Sequence, residues 1–248
     1  MKELERIVYS SSNIVFFGGA GVSTESGIPD FRSEAGLYKA KLEYGRSPES
    51  IISHSSFMSD PELFYAYYKG NMVFPDAEPN SAHLALAKLE DEGRLKAVVT
   101  QNIDGLHQAA GSKLVYELHG SVRRNYCMSC GAKFGLDYIL DPDKCTDKNG
   151  EQAHTPRCNV CGGLVRPDVV LYEEPLDEDV TRGAVKAISE ADALIIGGTS
   201  LVVYPAASYI GYFRGDHLVL INKSKTSYDS KAELVLHEPI GEVLSIFL

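Results

Sequence analysis

No run of apolar residues in this chain approaches the roughly 20 needed to cross a bilayer as a helix. The longest, Ile14-Val15-Phe16-Phe17 and Ala193-Leu194-Ile195-Ile196, have the length of buried strands. The opening residues, Met1–Arg6, carry charges of both signs and none of the apolar stretch of a secretory leader, which points to a cytosolic protein. Basic residues are in deficit, 24 Lys and Arg against 34 Asp and Glu, for a net charge of −10. That balance argues against a protein whose main task is gripping phosphate backbones, while a negative surface still attracts a basic peptide. Cysteine is scarce: five residues are too few for a disulfide scaffold in a chain of 248. There are no internal repeats. What remains, 44% hydrophobic and 23% charged residues, is ordinary globular composition, long enough for one large domain or a large one with a small companion.

Short apolar runs alternate with helical stretches. Strands are expected at Ile14–Phe17, Ala97–Thr100, Val115–Leu118, Ala193–Gly197 and Leu218–Asn222, each rich in Val, Ile and Leu as strands covered on both faces should be. The clearest helix is Ser81–Glu92, with Asn80 or Ser81 as its N-cap and Gly93 as its stop. Others are Lys2–Ser11, Pro61–Gly70, Asp177–Ala191, Pro205–Phe213 and Ile240–Phe247. This alternation predicts an α/β fold, a Rossmann-like parallel sheet with helices on both faces. Two segments break the rhythm. Arg32–Asn80 is aromatic-rich and Ser121–Leu164 holds all five cysteines. They read as a helical module (36–80) and a metal module (121–164) forming a smaller domain, inserted into a large one made of 1–35, 81–120 and 165–248. The polar stretch Asp141–Thr155 reads as a mobile loop.

Candidate chemistry sits at strand ends, where open α/β sheets bind ligands. After the first strand comes Gly18-Gly19-Ala20-Gly21-Val22-Ser23-Thr24, whose side-chain-free backbone can approach a phosphate, with a helix N-terminus expected behind it. As a GxGxxG pattern it fails at Thr24, and alone it is equally a tight connection. It runs into Gly27-Ile28-Pro29-Asp30-Phe31-Arg32, which offers a flat apolar face and a cation together, as a dinucleotide requires. Gln101-Asn102-Ile103-Asp104 follows the second strand; its polar side chains suit ribose hydroxyls and an amide, and by themselves also suit a helix cap. His119 ends the third strand. A histidine there can serve as general base, because its unperturbed pKa lies near neutrality, although most of seven histidines must be structural. Thr199-Ser200 and Asn222 end two further strands. The pairs Cys127/Cys130 and Cys158/Cys161 are two CxxC knuckles, the usual four thiolates of structural zinc, and 27 residues separate them. Cys145 and His154 are rival ligands without a knuckle partner.

In combination and in order, these motifs resemble the sirtuins, the NAD-dependent protein lysine deacylases. The likeness spans Ile14 to Asn222 and leaves little room for extensions, as in a bare catalytic core of bacterial or archaeal type. It implies NAD as co-substrate and one structural Zn2+, with acetyl-lysine proteins or peptides as partners and neither nucleic acid nor membrane. By the family pattern Ala20, Thr24, Arg32, Gln101, Thr199, Ser200, Asn222 and the backbone near Ile240 contact NAD. Phe31 covers the reacting ribose, Ile103 and Asp104 hold the nicotinamide amide, and Asn102 orients the ribose. The implied reaction is attack of the acetyl oxygen on the ribose carbon as nicotinamide leaves. His119 then deprotonates a ribose hydroxyl, and free lysine and O-acetyl-ADP-ribose are released.

The strand Val169-Val170-Leu171 would pair with the peptide, but it continues as Tyr172-Glu173-Glu174 where the family commonly has Gly before the last Glu. That replacement removes backbone freedom and adds charge near the peptide. Sirtuins that remove succinyl groups carry Tyr and, three residues on, Arg. Here Tyr65 matches and Tyr68 replaces the Arg, which implies an acetyl or apolar acyl preference, with Lys69 as a substitute cation. The rival readings are ADP-ribosyl transfer to protein, an idle binding module for NAD or acetyl-lysine, and a hydride-transferring dehydrogenase.

Overall fold

The computed structural model describes residues 1–29, 42–147 and 149–248. In chain order its strands are β1 (Ile14–Gly18), β2 (Leu95–Thr100), β3 (Val115–Glu117), β4 (Gly120–Cys127), β5 (Lys133–Phe134), β6 (Cys145–Thr146), β7 (Gln152–Pro156), β8 (Val165–Val169), β9 (Ala193–Gly197), β10 (His217–Ile221) and β11 (Leu234–Leu236). Six of them form one parallel sheet in the order β11-β10-β9-β1-β2-β3. From β1 the chain first builds outward through β2 and β3, then returns to lay β9, β10 and β11 on the other side. The switch between β1 and β9 opens a crevice at their carboxyl ends.

Alternation along the central strands explains why the sheet is covered twice. Ile14 and Phe16 of β1, Ala193 and Ile195 of β9, and Val219 and Ile221 of β10 pack against the helices Lys2–Ser10, Ser81–Asp91 and Ile240–Leu244. Val15, Phe17, Leu194, Ile196 and Leu220 face the helix Glu178–Glu190 and the 3-10 helix Ala206–Tyr212 on the opposite side. Of the two residues expected to cap the helix Ser81–Asp91, Asn80 does so. Asn80 accepts from the Ala82 N–H, and His83 closes a capping box by accepting from the Asn80 N–H at 3.3 Å. Asp177 caps its helix through the N–H groups of Asp179 and Val180.

A second core lies apart from the sheet. The helices His54–Ser59 and Pro61–Asn71 contribute Phe57, Phe64, Tyr65 and Tyr68, packed edge-on or stacked, against Val122, Ile139, Val165 and Cys158 of the cysteine-bearing region. β8 is grouped with the large layer on sequence, yet it pairs antiparallel with β4 in a three-stranded sheet, β5-β4-β8. The described residues of the stretch Asp141–Thr155, read on sequence as a mobile loop, carry regular structure. β6 and β7 pair within it, and Glu62 accepts from the N–H groups of His154 and Thr155 and from the Thr155 hydroxyl.

Among the described residues, Tyr68, His83 and His107 are buried with polar atoms left without a hydrogen-bond partner. Tyr68 is 1% exposed and its hydroxyl has no hydrogen-bond partner among the described residues, whereas the Tyr65 hydroxyl donates to Val165 O at 2.6 Å. Burying an unpaired hydroxyl costs about 1–3 kcal/mol. Tyr68→Phe is therefore expected to raise the melting temperature by a few degrees in a thermal scan. His83 and His107 lie buried with ring centroids 4.7 Å apart. Burial pulls His83 down to about 4, against an upward pull from Asp104, and pulls His107 down to about 3, with His83 adding to the fall. An unfolded histidine titrates near 6.5, so between about 6.5 and 4 the unfolded chain holds protons that the folded one refuses. Stability is thus expected to fall as pH drops through that window, and His107→Phe should flatten the dependence of denaturant midpoint on pH.

Candidate active site

A cleft of about 250 Å³ opens at the carboxyl ends of β1, β2, β3 and β9 and is closed on its far side by Val169–Glu174 and by Ile52, Tyr68 and Met72. Its floor is a close approach of two backbones. The Gly21 N–H donates to Gly198 O at 2.8 Å, and a Cβ on Gly21 would lie 2.7 Å from the Gly198 Cα. Gly198 itself has φ +57, and a Cβ there would meet the Val22 nitrogen at 2.3 Å. Glycine at these two positions lets the β1 and β9 loops touch and leaves bare backbone facing the cleft. Among the described residues no α-helix directly follows this turn, where the sequence predicts a helix N-terminus. Ala20–Val22 and Thr24–Ser26 are single 3-10 turns, because Gly27, at φ +83, reverses the chain before a longer helix can form.

From the β2 end come four adjacent residues. The Gln101 amide donates to the Thr199 hydroxyl at 3.2 Å, tying the β2 and β9 loops together. The Asn102 amide donates to Ser23 Oγ at 3.0 Å, and the Ser23 hydroxyl donates to Asp104 Oδ2 at 2.7 Å. The other Asp104 oxygen accepts from the Leu106 N–H. Ser23 is 1% exposed and organises both Asn102 and Asp104. Sequence reading includes it in the glycine-rich motif but assigns it no role. His119 sits in the turn between β3 and β4, with Nδ1 2.9 Å from Gln101 O. A carbonyl can only accept, so Nδ1 bears the hydrogen in the neutral ring and Nε2 carries the lone pair.

Of the residues singled out on sequence, Ala20, Gln101, Asn102, Ile103, Asp104, His119, Val169, Val170, Leu171, Thr199 and Ser200 all line this cleft. Three do not. The Thr24 hydroxyl turns back to Gly21 O, the Asn222 amide donates to Ser224 O, and Ile240 is buried in the core beside Gly197. Phe31 and Arg32 fall outside the described residues. Lys69, the substitute cation for an acidic acyl group, is engaged elsewhere: its Nζ lies 3.1 Å from Cys145 Sγ and over the Tyr65 ring.

The four knuckle cysteines converge. Their sulfurs lie within 4.8 Å of one another, with Cys127 and Cys161 3.5 Å apart and Cys130 and Cys158 3.7 Å apart. A disulfide needs about 2.05 Å. A tetrahedral zinc with sulfurs at about 2.3 Å sets them roughly 3.8 Å apart, so the spacing fits the metal. Each pair is a tight turn: Gly131 N–H donates to Cys127 O and Gly162 N–H to Cys158 O, both glycines with φ above +70. Burial pushes the Cys127 thiol up, but the Cys130 and Ser129 N–H groups and the neighbouring thiols bring it down to about 6. Cys145 is occupied by Lys69, and His154 lies in the β7 strand. Purified protein is expected to hold one zinc per chain by elemental analysis, and Cys130→Ser to lose it and lower the melting temperature.

A Sir2 family profile matches residues 19–205. Relatives named NAD-dependent protein deacetylase are 59% identical in Clostridium acetobutylicum over 244 residues and 60% identical in Clostridium perfringens over 245. Each comparison covers 98% of this chain and 96% of the relative. Among solved structures, a Sir2 variant with deacetylated p53 peptide and 3'-O-acetyl ADP-ribose superposes with a TM-score of 0.87 at 39% identity, covering 98% of this chain and 95% of that one. Sir2 bound to acetylated peptide gives 0.83 at 38% identity, with the same coverage. The chain is a member of the Sir2 family.

Proposed function

We propose that this chain is an NAD-dependent protein lysine deacetylase, moving the acetyl group of acetyl-lysine onto ADP-ribose with release of nicotinamide. The observation that carries the reading is the meeting in one cleft of the Asn102–Ser23–Asp104 chain, His119, and a wall formed by the edge strand β8 and its continuation. NAD supplies an activated ribose carbon from which nicotinamide departs. The protein's task is then placement and one proton. An amide oxygen is a weak nucleophile, so its approach to that carbon has to be fixed, and fixed geometry is worth many kcal/mol of barrier.

Asn102 and Asp104, tied through Ser23, are the groups assigned to the ribose and to the nicotinamide amide, with Ile103 between them. The bare backbone of Gly19, Ala20 and Gly198 suits the pyrophosphate, and Gln101, Thr199 and Ser200 suit the adenosine side. His119, its Nδ1–H directed to the Gln101 carbonyl, takes the ribose hydroxyl proton on Nε2. Val169, Val170 and Leu171 are the segment assigned to the peptide as an added strand. The Val170 and Leu171 N–H groups are held by His119 O and Glu174 Oε2. Zinc takes no part in bond making; held by Cys127, Cys130, Cys158 and Cys161, it fixes the sheet that carries this strand. The net charge of −10 favours protein over nucleic acid as partner, and thiols clustered as metal ligands favour the cytosol. No helix among the described residues is long and apolar enough to span a membrane.

Nicotinamide release should depend on an acetyl-lysine peptide, with loss of one acetyl group by mass. ADP-ribose gained by protein would favour the transferase instead. His119→Ala is expected to lower deacetylation by about 100-fold or more, with zinc content and melting temperature unchanged. Undiminished turnover would move the base elsewhere.

A further inference from the structure

The cleft wall at Tyr172–Glu174 grips the start of the helix His54–Ser59 with three successive residues. The Tyr172 N–H donates to Ile52 O at 3.1 Å and Tyr172 O accepts from the His54 N–H at 2.9 Å, a bridge centred on Ser53. Glu174 meets His54 Nδ1 at 2.7 Å and forms an ion pair with Arg166. Glu173 accepts from the Ser55 N–H and from the Ser55 hydroxyl, each at 2.9 Å and each on a different oxygen.

These neighbouring carboxylates differ in what surrounds them. Glu174 is largely buried and compensated by a guanidinium. Glu173 is exposed, lines the cleft, and is held by neutral donors alone; among the described residues no cation pairs with it. Its backbone has φ +78, a left-handed conformation that costs a non-glycine residue on the order of 1 kcal/mol. Glycine would adopt that conformation without strain. The fold instead keeps a side chain there and ties it down, leaving a fixed, uncompensated negative charge next to Val169–Leu171. Each Ser55 donor uses one lone pair of its oxygen, so both oxygens retain acceptor capacity toward the cleft.

We propose that Glu173 is a specificity-determining residue, an anchored carboxylate that favours acetyl-lysine peptides with Lys or Arg beside the modified residue and disfavours acidic ones. The inference rests on the reading of Val169–Leu171 as the peptide-pairing strand. Because the carboxylate is already ordered, little side-chain entropy is lost when it meets a cation. An acidic residue brought to the same place is repelled.

The test uses matched acetyl-lysine peptides in which each flanking position in turn is Lys, Ala or Glu, assayed at low and high salt with wild-type, Glu173→Gln and Ser55→Ala proteins. In the wild type, kcat/KM for Lys should exceed that for Glu by about tenfold at one or more positions at low salt, and by less at high salt. Glu173→Gln still accepts from Ser55 and should narrow that ratio to about twofold, through peptide KM and not through KM for NAD. Ser55→Ala keeps the charge and the backbone N–H donor but removes the hydroxyl, loosening one carboxylate oxygen, and should give an intermediate ratio. Equal discrimination in wild type and Glu173→Gln, or none in the wild type, overturns the proposal. A wild-type protein that deacetylates none of the peptides would instead count against the deacetylase reading itself.

Discussion

Everything in the site depends on how closely the β1 and β9 loops approach. The parallel sheet reverses its order between these strands, and only there do two loops leave the same edge in opposite directions. Gly21 and Gly198 bring the two backbones into hydrogen-bonding contact where any side chain would hold them apart. With that contact made, Ser23 lies where Asn102 and Asp104 reach it from β2, and Thr199 lies where Gln101 reaches it. The polar groups of three loops are thus positioned by one another.

The opposite wall is held by a different logic. β8 belongs to the small sheet, whose shape rests on two cysteine knuckles and on an aromatic core shared with the helices between 54 and 71. Its continuation is fastened to the helix His54–Ser59 by backbone bonds and by two glutamates. Burial pushes the Glu174 carboxyl up, but Arg166, the Leu171 N–H and His54 outweigh it and hold the group below the usual carboxylate range. The wall is therefore assembled from parts far apart in sequence.

Much of this was legible in the sequence. Five strands of the large sheet announce themselves as short runs of Val, Ile and Leu, since burial on both faces removes the need for alternation. The zinc knuckles declare themselves by spacing. The short β11 was missed, its three residues only partly buried. The β6–β7 hairpin was missed because it is polar, and its order comes from Glu62, some 90 residues away. Glu173 stands out as an exception to the family pattern, but the Ser55 donors that hold its side chain lie 118 residues earlier. Thr24, Asn222 and Ile240 were assigned by pattern alone. The structure turns the Thr24 and Asn222 side chains toward backbone carbonyls; Ile240 is assigned through its backbone, and its side chain is buried.

The strand order also governs how the protein comes into being. β1 precedes every other strand of the sheet and stands at its centre, yet its neighbour β9 leaves the ribosome some 175 residues later. Until then the nascent chain presents one side of β1 as an uncovered apolar edge, the kind of surface that pairs with the wrong strand. The small core closes only once Leu171 has emerged, because helices near residue 60 need β8 to pack against. Assembly of this fold is thus a late, nearly all-at-once event, and a nascent chain stalled before β9 is one for chaperones to hold.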